Sequence, residues 1–424
     1  MKKSRFILMP LIALIAFSCS KHDGGASTKP VLTTTAITNI KDSSASSGGN
    51  ITSDGGSPIA GRGIIWDTSA NFTTQNNWQT FDGAGTGNFT SSLTGLIPGT
   101  KYYVRAFATN TVGVAYGNVI TFTTTFVPSK YTVTTLAGNG SVGSAEGNGN
   151  SASFNGPDGV CADLLGNVYV ADYGNKKIRK ISPDGTVSTL APTDGSPSDV
   201  AVDANGYVYV AEQSLKILKI TPAGSVTVFA GSGSQGSKDS TGIYASFTNP
   251  ITLDIDASGN LYVGDRFVVR MISPAGVVTT PSNLNGNLPH LPNVIAVAVD
   301  KMGNVYSTDG FIIRKTDPSG VGSFIAGGQG SADGIGILAG FNSITELKTD
   351  EAGNIYAADL LNNRIRLITP AGLVTTLAGT GAAGAADGNA ASATFKGPVG
   401  LAIDATGHIY VADASNNKIR KIAQ

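Results

Sequence analysis

One pattern recurs six times over the larger, C-terminal part of this chain, and it constrains the fold more than any other feature. An apolar run ends in Asp, a turn ending in Gly follows, and an aromatic run ends in a second acid. The first position is Asp163, Asp203, Asp256, Asp300, Asp350 and Asp404. The second is Asp172, Glu212, Asp265, Asp309, Asp359 and Asp413, at the same spacing each time. Between them a Tyr returns in every repeat: Tyr169, Tyr209, Tyr262, Tyr306, Tyr356 and Tyr410. Successive repeats start roughly 40 to 54 residues apart, the size of a small four-stranded sheet unit that stacks on its neighbours.

Each repeat reads as four strands. Strand a is apolar, as in Val200-Ala201-Val202, and strand b is Val208-Tyr209-Val210 or its equivalent. Strand c is Lys177-Ile178-Arg179-Lys180-Ile181, strand d is Val187-Ser188-Thr189-Leu190, and the turn between them has Pro and Gly placed for a type I turn, as in Ser182-Pro183-Asp184-Gly185. The sixth repeat stops after strand c. Tyr131-Thr132-Val133-Thr134-Thr135-Leu136-Ala137-Gly138 is nearly a copy of the fifth-repeat strand d at Leu373–Ala378, so residues 131–138 are expected to complete the last sheet and close a ring. Closure removes two open sheet edges. The fold class expected is all-β: a six-bladed β-propeller over 131–424, preceded by a β-sandwich over 30–125. Low charge (14%) and 55 Gly in 424 residues agree with strands and turns rather than helices.

The segment from Ala412 to Ile422, with Asp413, Asn416, Asn417 and Arg420, and its counterpart from Ala358 to Ile368 resemble NHL repeats. Upstream, Leu96-Ile97-Pro98-Gly99-Thr100-Lys101-Tyr102-Tyr103-Val104 resembles the corner and penultimate strand of a fibronectin type III domain, with Tyr102 as the corner tyrosine. There, Val104, Ala106 and Ala108 are expected to face inward. Trp66 and Trp78 are expected in the core, with a sugar platform as the alternative.

The N-terminus has a positive start (Lys2, Lys3, Arg5) and an apolar run from Phe6 to Phe17, the pattern of an export signal over 1–18. Ala16-Phe17-Ser18-Cys19 resembles a bacterial lipobox, which implies lipid attachment at Cys19. Residues 19–29 are then a flexible tether, and the protein an exported lipoprotein of the cell envelope, at the outer membrane. With Cys19 acylated, Cys161 has no disulfide partner and is expected to be buried with a free thiol.

Zero formal net charge argues against a nucleic-acid partner. Five repeats carry Arg in strand c (Arg179, Arg270, Arg314, Arg366, Arg420). Repeat two has Leu218 there and is also the one with Glu212 instead of Asp, which predicts a structural acid–Arg pair within each sheet. Three Gly-rich stretches, beginning at Gly138, Gly231 and Gly379, match a dinucleotide pattern but open no helix, so they read as connectors. The few histidines (His22, His290, His408) do not make a three-histidine metal site.

Functional variety is expected on the b–c and d–a loops, which differ from repeat to repeat. Just before or within strand a stand Asp158, Asp199, Thr252 and Glu346, in equivalent or adjacent places around the axis. Three carboxylates at one channel mouth could hold Ca²⁺, and gluconolactonase-like propellers place a metal at such a spot; a hydrated acidic rim is the favoured expectation. Arg266 and Phe267, in the b–c loop of repeat three, are candidate ligand contacts. The reading is a non-enzymatic binding or scaffold module without a cofactor, anchored to the membrane and taking a protein or carbohydrate ligand. The alternative is a metal-dependent lactonase or lyase.

Overall fold

A computed structural model describes residues 26–424 apart from 69, 71, 73–77, 97–98, 126–129, 283 and 285–292. The export segment, Cys19, His22, Ile97, Pro98 and His290 lie outside the described residues. The chain divides into two compact units. One holds strand Val31–Thr38 with Ser44–Thr94 and Tyr102–Phe122, and the other holds Thr123–Gln424.

The first unit is two antiparallel sheets. Val31–Thr38, Ser44–Ser53 and Gly87–Thr94 form one; Trp78–Gln79, Gly61–Asp67, Lys101–Asn110 and Gly113–Tyr116 form the other, with Ile120–Thr123 also paired to Lys101–Asn110. The sheets meet so closely that a Cβ on Gly49 would strike the Phe89 ring and the Ala106 methyl. Val104, Ala106, Ala108 and Tyr102 are all buried. Phe107 breaks the expected alternation: it is buried on the other side, against Ile65 and Phe72, in a small second core. Trp66 is buried, whereas Trp78 is half exposed and touches Tyr102 only edge-on.

The second unit contains six antiparallel sheets among the described residues. Their first strands are Pro157–Ala162, Pro197–Val202, Pro250–Ile255, Ala296–Val299, Ile344–Thr349 and Pro398–Ile403. Each touches the next, and the last touches the first, so these six strands line a closed ring. The apolar core is correspondingly divided. One cluster joins repeats five and six through Ile365, Leu377, Leu401 and Ile409; another joins six back to one through Ile419, Phe154 and Val160. Both faces of each sheet are thus covered, which is why strand b opens on consecutive apolar and aromatic residues rather than alternating. Thr132–Ala137 pairs with Lys418–Ala423, with Val133 opposite Ile422, in the same sheet as Pro398–Ile403.

The repeated residues explain their own recurrence. Asp163 accepts the backbone amides of Leu165 and Asn167 with one oxygen and the Tyr169 hydroxyl, at 3.1 Å, with the other. The same bond to Tyr appears in all six repeats, from 2.9 Å at Asp404–Tyr410 to 3.3 Å at Asp203–Tyr209. Each Asp therefore fixes the a–b turn and pins it to strand b. His408 takes the place that Asn holds in four repeats, and its Nδ1 lies 3.0 Å from Asp404.

Candidate functional site

In four repeats the second acid meets the Arg of strand c. Asp172–Arg179, Asp265–Arg270, Asp359–Arg366 and Asp413–Arg420 are ion pairs of 3.0, 3.1, 2.7 and 2.7 Å with no exposed side-chain surface on either partner. The other oxygen of each acid accepts a backbone amide of the preceding connector, as from Asn155 or Lys396. In repeat two, without the Arg, Glu212 accepts the Gly195 amide at 2.6 Å and the Ser214 hydroxyl. In repeat four, Asp309 accepts the amides of Phe311 and Ile312.

Each of the four guanidinium groups also lies over a phenylalanine ring, at 5.1 to 5.4 Å: Phe154, Phe247, Phe341 and Phe395. These rings come from the Gly-rich connectors, which run out to add a two-residue fifth strand to the following sheet and then return. An acid on each connector holds that strand down: Asp387, for example, bonds the Thr135 amide and the Arg420 guanidinium. Sequence reasoning missed these anchors, although Ala-x-Phe recurs at Phe154, Phe247, Phe341 and Phe395. The Arg–Asp–Phe assemblies are closed to solvent, with both partners of each ion pair fully buried, although Nε of Arg179, Arg270 and Arg366 has no hydrogen-bond partner.

The channel is different. Counting from the start of strand a, and in repeat four from Val294, two residues before its shorter strand, the third residue is Gly159, Asp199, Thr252, Ala296, Glu346 or Gly400, and the fifth is Cys161, Ala201, Asp254, Ala298, Lys348 or Ala402. Residues two apart share one face of a strand. Asp199, Thr252 and Glu346 are nearly fully buried. Asp158 stands one place earlier, at an irregularity in the strand pairing between Pro157 and Val160, and keeps some exposure. A Cβ on Gly159 would lie 2.2 Å from Asp199 Oδ1, so the aspartate fills the space this glycine leaves. Cys161 is buried with a free thiol, and burial pushes that thiol well up.

Most of these polar groups staple neighbouring strands. Asp199 accepts the Val200 amide and, across to the next repeat, the Leu253 amide, both at 2.7 Å. Asp254 accepts the Val299 amide at 2.9 Å, and the Thr345 hydroxyl donates to the Val399 carbonyl at 2.9 Å. Amid the acids sits Lys348, whose Nζ is 3.3 Å from Glu346 and 3.4 Å from Asp254. Burial, and then the Asp199 charge, pushes Asp158 up to about 8. Burial raises Asp199 to about 6 although Lys348 pulls it down. Glu346 is raised well above the usual carboxylate range by burial and by Asp199. Burial opposes the charge on Lys348, but Asp254, Glu346 and Asp199 together hold its ammonium well above its ordinary value.

The fit to Ca²⁺ is poor on this geometry. A hard cation needs six or more oxygens converging on one point. Here an ammonium occupies the middle of the acids, both Asp199 oxygens are bound to amides, and no group of three His, Cys, Asp or Glu among the described residues is arranged to hold a metal. Lys348 and Asp254 were legible in one respect only: each lies two residues after a polar lining position.

Arg266 and Phe267 are both exposed on the two-residue b–c turn of repeat three, with the guanidinium 4.7 Å from the ring centre. Arg266 adopts φ +57°, shared closely by Lys176, Leu215, Asn363 and Asn417 at the corresponding turns. Cavities of about 490 and 560 Å³ open at the a–b turn end instead, around Asp163, Asp203, Tyr207 and Lys219 and around Leu164, Asp350 and Asp404. Their aspartates already serve the turns.

A ring of repeated antiparallel sheets with an enclosed polar axis defines the class: a β-propeller. The NHL repeat model matches residues 154–181 and 395–422. The chain is similar to a protein of unknown function from Bacteroides thetaiotaomicron, with 19% identity, a TM-score of 0.59, and 94% of this chain and 99% of that one covered. An auxiliary nutrient binding protein from the same organism matches at 17% identity and a TM-score of 0.57, covering 93% and 98%. The chloroplastic protein suppressor of quenching 1 of Arabidopsis thaliana is 38% identical over 94 residues, which span 22% of this chain and only 9% of that protein. No helix among the described residues is long and apolar enough to cross a membrane.

Proposed function

We propose that this chain is a cell-envelope lipoprotein acting as a non-enzymatic binding or scaffold module. Residues 131–424 form a six-bladed NHL propeller, and the fibronectin type III-like sandwich of residues 30–125 serves as its spacer. The observation that carries this reading is the axis: its acids already face the chain's own Lys348, which leaves the outer loops as the surface for a partner. Arg266 stacked on Phe267 suits a sugar ring or a peptide side chain, since it offers a flat apolar face beside a fixed charge. The likeness in fold to an auxiliary nutrient binding protein fits a binding role. Anchoring follows from lipidation at Cys19. Cys19→Ala should move the protein out of the membrane fraction and abolish acyl labelling.

The reading is tested by screening the purified protein against oligosaccharides and envelope proteins, and in parallel against lactones with and without Ca²⁺. Binding that is lost in Arg266→Ala/Phe267→Ala, with no turnover, is the expected result. Lactone hydrolysis abolished by a chelator would establish the enzyme instead.

A further inference from the structure

The disagreement between the channel and a metal site has a specific cause. Four carboxylates, Asp158, Asp199, Asp254 and Glu346, lie on or beside the inner strands of repeats one, two, three and five. Lys348 is the cation acting on both Asp199 and Glu346, and it pairs directly with Glu346 and Asp254. Its side chain is 11% exposed, and that of Glu346 4%, so water screens the pair little. A divalent ion drawn to the same oxygens would have to sit beside a buried ammonium, which repels it while competing for its ligands.

We propose that Lys348 is the resident cation of the channel: it takes the place of a divalent metal, shuts such ions out and, together with the amides held by Asp199, separates this axis from a metal site. The proposal deepens the binding-module reading and rests on it only in placing the ligand elsewhere. Its physical content is substitution of one cation by another. Removing the lysine charge leaves buried acids without a counter-ion, which is costly until another cation arrives. Oxygen donors from carboxylates and the Thr252 hydroxyl select hard ions, so Ca²⁺ and Mn²⁺ are the probes.

The test is the thermal midpoint of the full mature protein at neutral pH, together with calorimetric titration, with each ion at millimolar concentration. Wild type should respond to neither ion. Lys348→Met should melt lower than wild type, and Ca²⁺ or Mn²⁺ should raise its midpoint by about 5 °C with a measurable binding heat. Lys348→Arg keeps the charge and should remain unresponsive. Adding Glu346→Gln to Lys348→Met should erase most of the gain. The proposal is overturned if wild type binds the ions as tightly as Lys348→Met, or if folded Lys348→Met and Lys348→Gln bind neither. It is equally overturned if both variants fail to fold even when refolded with the ions. None of these outcomes depends on finding the ligand. Lactone turnover by wild type would sink the binding reading separately.

Discussion

The sheets and the channel obey opposite rules. In the sheets the same residue types return in register, and each return is explained by a bond: Asp to its turn and Tyr, a second acid to its Arg, Arg over its Phe. Along the channel the third strand position is Gly, Asp, Thr, Ala, Glu and Gly in turn, and the fifth carries a single Lys and a single Asp. A feature present in every repeat answers a need that every repeat has, which is to build its sheet. A feature present once answers something local to the axis or to one loop. In a repeat protein, then, recurrence within one chain separates architecture from function without reference to other sequences.

The strongest way to break this contrast is to attack the repeated frame. Arg420→Met leaves buried Asp413 without its guanidinium, and the Thr394 and Ala386 carbonyls without a donor. The expected loss is about 4 kcal/mol, measured by urea unfolding. Pairing Arg420→Leu with Asp413→Glu copies repeat two and should recover part of that loss. Recovery of none would mean that Glu212 depends on its own loop rather than on the absence of Arg. Somewhat smaller is Phe395→Ala, which empties a fully buried ring site under Arg420 and should cost about 3 kcal/mol in the same assay.

The channel should register in pH rather than in gross stability. Asp158 and Asp199 have folded pKa values raised to about 8 and about 6 from an ordinary 3.8. The folded state therefore binds more protons than the unfolded chain between pH 4 and those values, and stability falls as pH rises through that window. A midpoint a few degrees higher at pH 5 than at pH 8 is expected, with the slope reduced in Asp158→Asn. Asp404, held down to about 2 by hydrogen bonds from Thr406, Tyr410 and His408 against the opposing effect of burial, contributes stability lost only in more acidic solution, so the comparison stays above pH 5. A flat profile in wild type would remove the channel's distinct character. The smallest effect is expected outside: Arg266→Ala/Phe267→Ala should change unfolding by no more than about 0.5 kcal/mol while removing ligand binding.

The sequence disclosed the frame better than the axis, for a physical reason. The Asp–Tyr spacing survives because the a–b turn has one length, and the coincidence of Glu212 with Leu218 exposes the acid–Arg pair. The phenylalanine anchors stand in register, each 18 residues before the second acid of its repeat (Phe154 and Asp172, Phe395 and Asp413), but the connectors that carry them read only as Gly-rich loops. Asp158 was placed beside Asp199 and Glu346, but it is the second residue of its strand where they are the third. Lys348 is the lone cation at its position, and its place two residues after Glu346 does not say which acids it meets. Whether two residues on different strands face one another across an axis is decided by the ring, and no local pattern encodes it.

The pairing of Thr132–Ala137 with Lys418–Ala423 has a consequence for how the ring can be assembled. The Asn417 side chain reaches the Gly140 carbonyl across 277 positions of chain. Closing a loop of that length is slow but adds little entropy per further residue, so the final clasp is a late, kinetically costly step rather than a weak one. Until it forms, the first and sixth sheets each lack a neighbour. The same clasp makes the starting point of the ring arbitrary: a circular permutant opened at the Ser273–Gly276 turn, with residues 131 and 424 joined, would keep every strand pairing and should fold to the same sheets. Its refolding rate against that of the natural order would measure how much of the barrier belongs to that one strand.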